Sequence, residues 1–182
     1  MRKPIIFILT LFTSLLFLSE VAIADETRVI DKLKSFGHWG AGIGIQNGIG
    51  PNGLPLAMKY AFVGTDINHP QAGPMYIEIL LPPNGSASLS IITPNLSGQY
   101  FAPIGAIDAT LVAGNHSARL LGQAMSQVNF IYYFMPNFPS DFFKWVSNSP
   151  VFSIEFPLGS LPIFTDGLNQ ASAYAMKLRK GL

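Results

Sequence analysis

Seven short stretches of strand-forming composition, joined by connections rich in proline and glycine, constrain this chain more than any other feature. They fall at residues 54–64, 75–81, 86–92, 106–113, 117–125, 128–135 and 151–156. Parallel strands need crossovers of about a dozen residues or more, so links this short imply antiparallel neighbours. Two of the links are hairpin turns by residue type. Asn84-Gly85 separates the second stretch from the third, and Gly114-Asn115-His116 the fourth from the fifth. Asparagine and glycine tolerate the backbone that tight hairpins require. Within residues 86–92, Ala87, Leu89 and Ile91 alternate with Ser86, Ser88 and Ser90. That period of two predicts a sheet with one face in water.

Helices are expected at the two ends. Val29, Ile30, Leu33 and Phe36 lie at helical offsets in residues 26–36, with Gly37 placed to end a short N-terminal helix. Leu161, Phe164, Leu168, Ala171, Ala175 and Leu178 are spaced alternately three and four apart. They predict a C-terminal helix over 161–179, capped by Ser160 and with Pro162 in its first turn. Ser140 or Asp141 can start a single helical turn carrying Phe142, Phe143, Trp145 and Val146. The expected architecture is mainly β, with α+β as the variant. It is an antiparallel β-sandwich or curved sheet, with the two end helices packed on it.

The first residues read as an export signal. Arg2 and Lys3 precede an apolar run at 5–18, and Ala22-Ile23-Ala24 forms a small-x-small cleavage pattern. Glu20 ends the run short of the roughly 20 apolar residues a membrane span needs. Cleavage after Ala24 leaves residues 25–182 as one β-rich domain with no integral membrane span, which is 158 residues (182 − 24). The address is then the periplasm or the exterior of a bacterium. The chain has no cysteine, which excludes lipoprotein acylation, disulfides and thiolate metal sites. Losing Arg2, Lys3 and Glu20 leaves nine basic (11 − 2) and nine acidic (10 − 1) residues. Nothing in that balance neutralises a polyanion, so nucleic acid is a poor partner. The one basic cluster, Lys177, Arg179 and Lys180, suits the end of a helix.

Motif-based chemistry is sparse. The glycine-rich residues 37–53 contain no lysine for a phosphate-binding loop. Gly42-Ile43-Gly44 reaches its next glycine one residue too late for a dinucleotide fingerprint. The remaining readings are a strand with Gly40, Gly42 and Gly44 on one face, or a closely packed or mobile edge segment carrying Trp39. His38, His69 and His116 have no metal-ligand spacing and sit in turn-like contexts. No nucleophile motif occurs, and His116 beside Ser117 points to opposite faces of a strand. Glu78 and Glu155 each interrupt an apolar strand and are expected on its solvent face. No catalytic residue, metal or cofactor is therefore expected.

The least ordinary segment is residues 130–146, with eight aromatic side chains. Part of it must be core and part a covering turn. Its outward members form a candidate binding patch for a protein partner or an apolar ligand. The candidate binding residues are Trp39, Tyr133, Phe138, Phe142, Phe143 and Trp145. Together these features predict an exported, non-catalytic interaction protein of the bacterial envelope or secretome. Two alternatives stand beside it. One is a hydrolase assembling His69 or His116 with Asp66 or Asp108, and the other is a structural subunit of an envelope assembly.

Overall fold

The computed structural model describes residues 28–49, 55–93, 100–126, 130–134 and 138–182. The proposed leader, residues 1–24, lies outside them. Ten strands are described: β1 (Arg28–Phe36), β2 (Trp39–Ile49), β3 (Pro55–His69), β4 (Gly73–Leu81) and β5 (Ser88–Thr93), then β6 (Gly105–Ala113), β7 (His116–Ser126), β8 (Phe130–Phe134), β9 (Val151–Phe156) and β10 (Gly159–Phe164). Two helices accompany them, α1 (Phe142–Val146) and α2 (Leu168–Arg179). The strands form one curled antiparallel sheet in the order β1-β2-β3-β4-β5-β8-β7-β6-β9-β10. Mainly β architecture with a curved sheet and a packed C-terminal helix is thus what the sequence predicts.

Alternation decides which residues fill the curl. Val63, Ile77, Ile79, Leu89, Ile91, Leu111, Tyr132 and Ile154 face inward and are fully buried. Each large apolar side chain taken out of water contributes about 1.5–3 kcal/mol. Leu168, Ala171 and Ala175 of α2 join the same core. The small alanines let the helix lie close against β2 and β3.

The β4–β5 hairpin forms in the expected place, with Leu80 opposite Ser88. The β6–β7 turn reduces to Gly114 and Asn115, because Ala113 already pairs with His116. Gly114 takes φ +58°, the conformation such a turn needs. The serine face of β5 departs from expectation. Ser88 and Ser90 are buried rather than wet. The outer face there is lined by large neighbours from β3 and β4, with Phe62 and Tyr76 buried as well.

Two segments differ from the sequence-based assignment, each for a physical reason, and a third settles between the two readings left open for it. Residues 28–36 are strand β1, not helix. Between Asp31 and Lys34 the strand advances three residues against two of β2. Lys32 sits in this bulge at φ +52°, its amide donating to Asp31 Oδ1 at 2.8 Å. An extra residue in a strand converts a spacing of two into three, which imitates the helical offsets of Leu33 and Phe36.

Residues 159–164 are strand β10, so the C-terminal helix begins only at Leu168. Leu161 and Ile163 are buried, while Ser160, Pro162 and Phe164 are exposed. Proline suits an edge strand, where no partner asks for its missing N–H. The glycine-rich segment is strand β2, held between β1 and β3 rather than at an edge. Its glycines admit aromatic rings from β3. A Cβ on Gly44 would meet the end of the Tyr60 ring, and one on Gly42 would lie 3.2 Å from Phe62.

The curl closes where its first hairpin meets its last strand. Trp39 on β2 is fully buried, and its indole N–H donates to the Phe164 carbonyl on β10 at 2.9 Å. Beside it, Gly167 takes φ +86° and packs against the Phe36 carbonyl. Thr65 Oγ1 donates to the His38 carbonyl at 2.8 Å and ties β3 to the same turn. Tyr174 of α2 donates to the carbonyl of the bulged Lys32 at 3.1 Å. These contacts form a seam between the two ends of the sheet.

Candidate functional site

In the strand order, β8 and β9 are separated by β7 and β6. The chain between them, carrying most of the aromatic segment, must therefore cross two strands. Lys144 and Trp145 amides both donate to the Asp141 carbonyl, at 2.9 and 3.1 Å, and wind that connection into α1. No side-chain cap hydrogen bond forms at Asp141. Helix α1 is held instead by what it buries, Phe142 and Val146.

The six candidate residues fall into distinct environments. Trp39, Phe138 and Phe142 are buried. They belong to one chain of rings, Phe138 to Phe142 at 4.9 Å, Phe142 to Phe152 at 5.1 Å and Phe152 to Trp39 at 6.4 Å. Tyr133 is half-buried on the outer face of the sheet, in register with Ser90 and Gln123. Trp145 is half-buried and stacks on His116 at 5.1 Å with the planes 9° apart. Phe143 is half-buried, edge-on to Phe142 at 5.3 Å.

Phe143 and the rim of Phe138 open onto a groove of about 210 Å³. Its other walls are Leu81, Ala87, Met176 and Arg179, from the β4–β5 hairpin and the last turns of α2. Arg179 fixes the hairpin. Its Nε donates to the Pro82 carbonyl and its Nη2 to the Gly85 carbonyl, both at 2.7 Å. Phe138 and Phe143 of the aromatic segment line one side of this groove. Met176 and Arg179 were not among the candidate residues, although a spacing of three places both on one helical face. No local pattern folds the end of α2 against residues 82–87; that contact joins residues 97 and 94 positions apart.

Two pairings of the alternative hydrolase reading, His116 with Asp108 and His69 with Asp66, are set apart by the strands that carry them. Asp108 is held by Arg119, whose Nε donates to both carboxylate oxygens at 2.8 and 3.0 Å. That hydrogen bond keeps the Asp108 carboxyl below its ordinary value. His116 pairs with Ala113, five residues along β6 from Asp108, or roughly 16 Å at the rise of a strand. His69 Nδ1 accepts the Ala72 amide at 3.0 Å, and its ring packs on Tyr100 and Phe101 at 5.5 and 5.3 Å. Asp66 lies three residues from His69 on β3, hence on the opposite face. Partial burial raises its carboxyl above the usual value.

Glu155 is exposed as expected and accepts from Ser153 Oγ at 2.6 Å and Ser160 Oγ at 2.8 Å. Glu78 departs from expectation and is buried. Both alternate with inward residues and so face outward, five strand positions apart on β4 and β9. Among the described residues, no group of three or more histidine or acidic side chains is placed to hold a metal ion. No helix among them is long and apolar enough to cross a membrane.

No protein-family model matches the sequence, and no curated protein matches it. Among solved structures, the fold is similar to the crystal structure of invasion associated protein B from Bartonella henselae, with a TM-score of 0.53. That match is 13% identical and covers 82% of this chain and 97% of the other. At that identity the likeness is one of fold.

Proposed function

We propose that this chain is an exported, non-catalytic binding protein of a bacterial envelope or secretome. It engages a protein partner or an apolar ligand through the aromatic-rich segment, at the groove under Phe138 and Phe143. The observation that carries this reading is the groove itself, an open apolar cleft whose walls come from three parts of the chain. Concave, mostly apolar sites with a few polar groups are the usual form of a ligand pocket. The fold shared with a protein described as invasion associated supports a place in the envelope or beyond it. The apolar h-region and the Ala22-Ile23-Ala24 site support export.

The reading is tested with a neutral fluorescent probe, N-phenyl-1-naphthylamine, titrated into the purified protein and into Phe143→Asp. Phe143 is half-buried, so an aspartate there puts a charge in the groove without opening the core. Probe emission is expected to rise with the natural protein and to fall at least tenfold in apparent affinity with the variant. Equal binding by the two proteins, with unchanged circular dichroism, would remove the groove from the account.

A further inference from the structure

The walls of the groove are mostly apolar, with Ser86, Ser140 and Arg179 as polar exceptions, and the charged one defines a ligand class. Leu81, Ala87, Phe138, Phe143 and Met176 supply the hydrophobic surface, and Arg179 is the single charged residue among the lining side chains. Its guanidinium is already oriented. Two of its N–H groups are committed to the Pro82 and Gly85 carbonyls. A guanidinium carries five such donors in a planar fork, so three remain. Neither carbonyl neutralises the cation. Lys177 and Lys180 stand exposed on either side of it in sequence and strengthen the positive potential of this end of α2. The nearest acidic residue in sequence to the facing wall is Asp141, exposed beside Ser140.

An apolar cleft with one pre-oriented cation complements a ligand with an apolar body and one anionic end. Its size narrows the class. A volume of about 210 Å³ falls below the roughly 300–1,000 Å³ of pockets that enclose drug-sized ligands. We infer that the groove takes a small anionic amphiphile, a medium-chain carboxylate. The acyl chain lies against Phe138, Phe143 and Met176, and the carboxylate on the free edge of Arg179. Charge-assisted hydrogen bonds to a carboxylate are shorter and stronger than neutral ones, so the head group sets the preference and the chain supplies the bulk of the contact. The inference rests on the groove being the binding site, as proposed above.

Calorimetric titration of the purified protein with octanoate, octanol and octylammonium at neutral pH separates head from chain. Octanoate is expected to bind about tenfold more tightly than octanol, and octylammonium more weakly than either. Arg179→Met should erase the octanoate preference. The readout is the ratio of octanoate to octanol affinity within the variant, because Arg179 also fixes the hairpin wall that both ligands touch. Arg179→Lys, which keeps the charge and loses the fork, should keep part of the preference. Equal affinity of the natural protein for octanoate and octanol overturns the inference, and the groove still stands as an apolar site. Binding of a peptide ending in leucine, with no binding of octanoate, also overturns it and points to a protein terminus instead. Failure of all three amphiphiles and of the neutral naphthylamine probe overturns both the inference and the groove.

Discussion

Replacing Gly167 with alanine probes the seam that closes the sheet. At φ +86°, a Cβ there would run into the Phe36 carbonyl oxygen and lie 2.5 Å from its carbon. Both are backbone atoms, so no side-chain rotation relieves the contact. Gly114 serves as the internal control, with φ +58° and nothing within 4 Å of an added Cβ. Left-handed backbone costs an L-residue about 1–2 kcal/mol, and at Gly114 that is the whole expected loss. At Gly167 the seam must also open. The Trp39 to Phe164 hydrogen bond contributes about 1 kcal/mol net, and disturbed packing around Trp39 and Leu168 adds about 1–2 kcal/mol. The total is roughly 3–5 kcal/mol, which lowers the melting temperature of a domain this size by about 6–20 °C. Urea unfolding followed by tryptophan fluorescence measures both variants, since Trp39 is at the seam itself. Equal losses for Gly167→Ala and Gly114→Ala would show that the two ends of the sheet are not pressed together as described.

Two further expectations concern single sites. Gly122→Ala would place a Cβ against the Tyr133 carbonyl and 2.6 Å from the Phe134 ring, whereas Gly44→Ala meets only the far end of the Tyr60 side chain. The first should cost more than about 2 kcal/mol and the second less than about 1 kcal/mol in a chemical denaturation series. The Asp108 to Arg119 pair gives a pH signature, because Arg119 lowers the Asp108 pKa in the folded state. Its stabilising contribution is present above the unfolded value of about 3.9 and is lost as pH falls through the depressed folded value. Asp108→Asn should therefore lower the urea midpoint slightly at neutral pH and not at strongly acid pH, with the gap shrinking in high salt. A gap that persists in acid would mean that Asp108 acts through packing or a neutral hydrogen bond.

The strands that could be read from sequence are those whose period of two is unbroken, such as Ser88–Thr93 and Gly105–Ala113. Two that could not are β1 and β10, and β2 was legible only as one of two readings; each hides its period differently. In β1 the bulge at Lys32 adds a residue and mimics a helix. In β2 glycines remove the polar half of the alternation, leaving room for rings from β3. In β10 the run Leu161, Pro162, Ile163, Phe164 continues by chance into the stripe of the true helix, with an exposed phenylalanine at the join. All three lie at or beside the seam, where pairing between distant parts of the chain overrides local preference. The site shows the same division. Phe138 and Phe143 stood out by composition, but Arg179 acquires its place only through the carbonyls of Pro82 and Gly85, 97 and 94 residues away.

The seam also sets an order of events for the growing chain. The Trp39 to Phe164 bond joins residues 125 apart in sequence, a closure that costs about 4 kcal/mol in chain entropy on the logarithmic loop law. Helix α2, which packs on β1, β2 and β3, follows all ten described strands in the chain. The first hairpin therefore cannot find these partners until residues 159–179 have been synthesised. A polypeptide stopped at Leu158 would hold nine of the ten described strands and yet lack the tryptophan's acceptor and the helix that fills the opening. Such late locking keeps the nascent sheet open until β10 and α2 have both been made.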